Sequence, residues 1–135
     1  MTVVTTSRKP IPSLRTFSKD LAFTLGGTYK PRGKSSVQDI LTSDDCVIFC
    51  MKERRAFLMQ VHLRGEPYLE CAINSFDLIN REGTLQKGIR SGNREIADAL
   101  KPHLPVSYDS DVQENHLIFD GLQRRQYVVR LPARA

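Results

Sequence analysis

The stretch from Gly26 to Ser36, GGTYKPRGKSS, carries the residue types of a phosphate-binding loop: glycines that let the backbone approach an anion, then a lysine and a serine. A Walker A motif is written G-x-x-x-x-G-K-[ST]. Gly27, Gly33, Lys34 and Ser35 fill its fixed positions, with five residues between the glycines where the motif has four. The spacing matters because a true P-loop leaves a buried strand and curls around the phosphate before its helix begins. Here the preceding element reads as a helix, Pro31 removes a backbone N–H from the loop, and no strand-ending aspartate for magnesium is evident. The phosphate chemistry of this stretch is therefore that of cations meeting a polyanion, not of nucleotide hydrolysis.

The distribution of charge points the same way. The chain has 135 residues and a net charge of +5. Residues 1–34 hold Arg8, Lys9, Arg15, Lys19, Lys30, Arg32 and Lys34 against the single acid Asp20, while the other 101 residues carry 13 basic and 14 acidic groups. A local basic patch on a balanced domain is the footprint of a polyanion-binding face. A second asymmetry closes the chain. Pro105 to Asp120 contains Asp109, Asp111, Glu114 and Asp120 without a Lys or Arg, and Gly121 to Ala135 contains Arg124, Arg125, Arg130 and Arg134 without an acid. This order suggests that the two segments neutralise each other in space.

Other constellations do not assemble into a catalytic or metal site. Cys46, Cys50 and Cys71 are an odd number without an export signal, and C-x3-C lacks a companion pair, so all three read as buried thiols on strands. His62 lies inside an apolar run and reads as a packed histidine, whereas His103 sits at a helix end and His116 beside the acidic segment. Asp44 with Asp45, and Asp109 with Asp111, fall in turns and read as solvated surface. No nucleophile comes with a base and an orienting partner. The expectation is a non-catalytic protein without cofactor, metal or small-molecule substrate. The start of the chain resembles no signal peptide and no segment is apolar enough to span a membrane, so a cytoplasmic location is expected.

The elements that position these residues follow from periodicity. Val3 and Val4 open a short strand. Ser13 reads as an N-cap, followed by Leu14, Phe17, Leu21, Ala22 and Leu25 in an amphipathic stripe that Gly26 and Gly27 terminate. Arg15 and Lys19, four residues apart, share an exposed face of that helix. Ser35 and Gln38 form a capping-box pattern for a short helix burying Val37, Ile40 and Leu41. Val47 to Met51 and Ala56 to Leu63, joined by the turn KERR, read as strands covered on both faces. A strand carrying Leu69, Cys71 and Ile73 follows, then NREGTLQKGIRSGN without clear periodicity. Asn93 caps a helix with Ile96, Ala97, Leu100 and Leu104 on one side, and HLIFDG and QYVVRL close the chain as two strands. The whole, residues 1–135, is a single α/β domain with two unequal halves.

The run from Thr5 to Leu41 resembles the opening of the Brix-domain family, in particular its short archaeal members and the Imp-type small-subunit processome proteins. Thr6, Ser7, Arg8 and Pro10 match the family's T-S-R-x-P element, and Leu14, Arg15, Phe17, Lys19, Asp20 and Leu21 match its L-R-x-F-x-K-D-L helix. Arg32, Gly33, Lys34, Asp39 and Leu41 match the R-G-K loop and the helix it opens. AINSFDLINRE, from Ala72 to Glu82, resembles the family's central strands more loosely. The resemblance implies two pseudo-symmetric α/β halves similar to the anticodon-binding domain of class IIa aminoacyl-tRNA synthetases. It also implies a ribosome biogenesis factor that binds ribosomal RNA or its precursor, assists rRNA processing and small-subunit assembly, and works with other assembly proteins.

Both lines of reading assign RNA-phosphate contact to Arg8, Lys9, Arg15, Lys19, Lys30, Arg32 and Lys34. Tyr29 is placed to stack on an unpaired base or to pack at the core edge. Two alternatives of other kinds stay open: a protein-protein adaptor within a pre-ribosomal assembly, and a stand-alone anticodon-binding-like module acting on transfer RNA.

Overall fold

The computed structural model describes residues 2–132. The first half runs β1 (Thr2–Thr6), α1 (Pro12–Leu25), β2 (Thr28–Tyr29), α2 (Val37–Leu41), β3 (Cys46–Glu53), β4 (Ala56–Leu63) and β5 (Glu66–Ile73). The second half runs β6 (Ser75–Asn80), β7 (Ile89–Ser91), α3 (Arg94–Leu100), β8 (Val106–Tyr108), β9 (His116–Asp120) and β10 (Arg125–Arg130). Each half forms one five-stranded sheet. The orders are β2-β1-β3-β4-β5 and, read from the corresponding end, β8-β7-β9-β10-β6. In both, the strand next to one edge leads through a helix to the parallel edge strand, β1 to β2 and β7 to β8. The halves differ in their next strand: α2 returns β3 parallel to β1, whereas the loop after β8 brings β9 back antiparallel to β7.

Strand alternation divides the first sheet between two cores. Val4, Ile48 and Cys50 point to the α1 side and join Leu14, Phe17 and Leu21 with Leu117, Phe119, Tyr127 and Val129 of the second sheet. Val3, Val47 and Phe49 point the other way and are covered by Ile40 and Leu41 of α2. Helices α1 and α2 therefore lie on opposite faces of one sheet. Phe17 anchors the larger core, its ring 4.7 Å from Phe76 and 5.4 Å from both Phe119 and Tyr127.

Local chemistry sets the helix ends, with small departures from expectation. Pro12 occupies the start of α1 and Ile11 is the N-cap, so Ser13 lies inside the first turn and no side chain caps the helix. Proline is pre-organised for that position and has no N–H to leave unpaired. Gly26 takes the left-handed conformation at φ 70° and ends the helix as expected. At α2 the cap is Ser36, whose Oγ accepts from the Asp39 amide at 3.1 Å. The shift of one residue takes Gln38 out of the capping-box position. Asn93 caps α3 as expected, accepting from the Ile96 amide at 3.1 Å. Glu53 pairs with Ala56 across β3 and β4, so only Arg54 and Arg55 of KERR form the hairpin loop.

The charge order of the C-terminal third does not act as expected. Asp120 accepts from Arg90 Nη2 at 3.1 Å and from Gln126 Nε2 at 2.8 Å. Arg125 instead pairs with Asp20 of α1, and Arg130 with Asp77 of β6. The acidic segment therefore does not neutralise the arginines that follow it; Arg134 lies outside the described residues. Chain order misleads here because antiparallel pairing places β10 between β6 and β9, so its side chains meet residues from distant segments.

Asp20 is a buried polar link between the halves. It is fully buried, and it accepts from Arg125 Nε at 2.7 Å, Arg125 Nη2 at 3.1 Å, Tyr127 Oη at 2.5 Å and the Leu122 amide at 3.0 Å. Burial, then the bond to Asp20, pushes the Tyr127 phenol well above the ordinary range, and the Asp20 hydrogen bond raises Arg125. Tyr127 stays a neutral donor and Arg125 a cation, as this network requires. Gly121 leaves the necessary room: a Cβ there would lie 2.5 Å from Asp20 Cγ. Gly121→Ala is expected to cost about 2 kcal/mol through overpacking, measurable as a lowered urea midpoint.

Candidate nucleic-acid interface

The ends of β1 and β2 create the site. After Thr6 the chain turns toward α1 on one face of the sheet, and after Tyr29 it turns toward α2 on the other. Adjacent parallel strands whose following loops diverge to opposite faces leave a crevice at their carboxyl ends, the usual ligand position of open α/β sheets. The crevice here has a volume of 640 Å³. Arg8, Lys9 and Pro10 come from the loop after β1, Pro31 and Arg32 from the loop after β2, and Arg15 and Lys19 from the exposed face of α1. Tyr29 lines it between them. Every charged residue lining it is basic. The nearest acid in sequence, Asp20, is turned inward and engaged with Arg125.

Several of these side chains are held in place. Tyr29 pairs through its backbone with Val4 and packs against the edge of the larger core, and it also lines the crevice. Lys19 Nζ lies 5.9 Å from the Tyr29 ring centroid. Arg32 Nε donates to the Ser35 carbonyl at 3.3 Å, and its guanidinium lies 5.7 Å from the Phe49 ring. Lys9 adopts a left-handed backbone at φ 52°, which turns the loop sharply before α1. The uncapped amino end of α1 lies at the same end of the sheet and adds partial positive charge.

Of the eight residues expected to contact RNA, Arg8, Lys9, Arg15, Lys19, Tyr29 and Arg32 share this crevice. Lys30 and Lys34 do not line it. Lys30 Nζ sits 3.9 Å from Asp44, on the far side of β2 from the crevice-lining Tyr29; strand alternation separates the two neighbours. Sequence reasoning missed Thr6 and Ser7 as lining residues, although both belong to the T-S-R-x-P element.

The second half has a counterpart with different charge. At the carboxyl ends of β7 and β8 lies a crevice of 590 Å³, lined by Glu95, Asp98 and Glu114 with Arg94, whose guanidinium lies 4.2 Å from the Tyr108 ring. The basic excess of the N-terminal quarter thus maps to one crevice, and the acidic segment borders the other. The remaining candidates fall into structural places. Cys46, Cys50 and Cys71 are buried and free, with burial pushing the Cys50 thiol up to about 12 and Cys71 up to about 11. His62 is 7% exposed, and burial lowers its pKa. Among the described residues no group of three His, Cys, Asp or Glu is arranged to hold a metal ion. Nor is any helix there long and apolar enough to cross a membrane.

Fold and crevice together define an α/β protein of two five-stranded halves with a basic cleft at one strand switch point. Its architecture is shared with Mil, an archaeal Imp4-like protein of known crystal structure: the match covers 95% of this chain and 96% of that chain, with a TM-score of 0.60 and 19% sequence identity. No protein-family model matches the chain, and no curated protein matches its sequence.

Proposed function

We propose that this chain is a Brix-type ribosome biogenesis factor that binds ribosomal RNA or its precursor through the cleft between β1 and β2. The observation that carries the reading is the convergence of Arg8, Lys9, Arg15, Lys19 and Arg32, from three separate elements, on one cleft without an acid. Such a site gains affinity by releasing counterions from the phosphate backbone, which makes binding salt-dependent and sequence-tolerant. The fold shared with an Imp4-like protein over nearly the whole chain supports the same reading, as does the T-S-R-x-P and L-R-x-F-x-K-D-L pattern that builds the cleft. The role is that of a non-catalytic RNA binder assisting rRNA processing and small-subunit assembly in the cytoplasm, alongside other assembly proteins. The acid-rich counterpart cleft repels RNA, so one face of the molecule engages it.

Filter binding to pre-rRNA fragments at two salt concentrations tests this. The expected result is affinity that falls steeply with salt, and enrichment of ribosomal over transfer RNA when bound RNA is crosslinked in cells and sequenced. Affinity indifferent to salt would favour the adaptor reading, and enrichment of transfer RNA would favour the anticodon-binding-like one.

A further inference from the structure

The basic cleft is a pocket as well as a charged face, and we propose that it captures a single unpaired nucleotide, with the base inside against Tyr29 and the flanking phosphates on the cationic rim. This inference rests on the RNA-binding reading and specifies which RNA the site takes. A volume of 640 Å³ falls within the ~300–1,000 Å³ of sites that enclose small ligands. The cleft is concave and broadly open to solvent, so one group of a ligand can enter it while the rest of the chain stays on the rim.

The lining suits a nucleobase. Tyr29, Pro10 and Pro31 offer flat, weakly polar surfaces, and aromatic rings are the common platform for splayed bases. Tyr29 is pre-organised by its strand pairing and its packing on the core. Lys19 lies at the outer limit of a cation-π contact with it, so a base can take the ring face while the ammonium moves to a phosphate. On the same cleft, Thr6 is 1% exposed and its hydroxyl has no hydrogen-bond partner. That oxygen is itself buried, so Thr6 lines the cleft without offering a hydrogen bond to what enters it. Arg8 and Lys9 on one loop and Arg32 on the other flank the opening, where the phosphates on either side of an inserted nucleotide would lie. A paired base cannot enter, because duplex RNA buries its base faces in stacking and offers mainly shape, 2′-hydroxyls and phosphates.

Fluorescence anisotropy with a labelled short single-stranded RNA, the same strand in a duplex, and the strand made abasic separates the possibilities at matched salt. The expected result is about tenfold tighter binding of the single strand than of either other probe. Tyr29→Ala should lose that advantage, and Tyr29→Phe should retain it. The abasic probe keeps the test decisive even if Tyr29→Ala does not fold. Equal affinity for all three RNAs, with salt dependence intact, would overturn nucleotide capture and leave the RNA-binding reading standing. Absence of salt-dependent binding to any of them would overturn both.

Discussion

Asp20→Ala is expected to destabilise the fold by about 3–5 kcal/mol, the cost of removing one partner from a buried, hydrogen-bonded ion pair. The carboxylate is fully buried, and its removal leaves Arg125, Tyr127 and the Leu122 amide without their acceptor. Asp20→Asn does not rescue it. An amide has one acceptor oxygen and presents N–H groups where Arg125 and Tyr127 also donate. Arg125→Ala should also destabilise the fold, though less, because the buried carboxylate loses its counter-charge but keeps the Tyr127 and Leu122 donors. Combining it with Asp20→Ala should cost less than the sum, as expected for residues in one network. Urea denaturation of the three variants measures this; additivity would show that the pair does not act as a unit. The network also has an alkaline limit. The folded pKa of Tyr127 lies above its ordinary value of 10.0, so the stability it contributes is intact below that pH and is lost as the pH rises through the folded value. Tyr127→Phe should flatten this decline.

Asp20 and Lys19 are neighbours on α1 with opposite orientations. Asp20 ties the helix to Leu122 and Arg125 of the second half, and Lys19 faces the cleft. The apolar stripe of α1 packs it on the first sheet independently of that tie, and this packing keeps Arg15 and Lys19 beside the loops after β1 and β2.

Removing those two cations is expected to weaken RNA binding about 10- to 100-fold at moderate salt and to reduce the slope of log affinity against log salt by roughly 1.4, two phosphate contacts on a single strand. Arg15 and Lys19 are solvent-exposed on α1, so Arg15→Ala with Lys19→Ala should leave the unfolding free energy from urea denaturation within about 0.5 kcal/mol of the parent. Lys30→Ala with Lys34→Ala makes the same change of net charge outside the cleft. It should alter affinity about threefold or less, because neither side chain lines the cleft and the interaction of exposed charges is screened by salt. If the two double variants weakened binding equally, the net positive field of the N-terminal quarter would be the determinant and the cleft would not. Filter binding over a salt series distinguishes these outcomes.

Much of this protein was legible in its sequence, and the parts that were have a common cause. The stripe of Leu14, Phe17, Leu21 and Leu25 and the stop at Gly26 are short-range patterns, decided within one or two helical turns. So are the apolar runs that become β3, β4, β9 and β10. The concentration of cations before Lys34 is a property of composition, and the motif spacing around Ser7, Lys19 and Arg32 carried the family resemblance. Strands β7 and β8 are three residues each, too few to show a period, although β7 lies inside its sheet. Only the tertiary structure could decide that Asp20 meets Arg125, 105 residues away, and that Arg8 and Arg15 share a cleft with Arg32 while Lys30 turns toward Asp44. Sheet order decides these contacts, and sheet order comes from packing α1 and α2 on opposite faces, a choice made by the whole core that no local segment encodes.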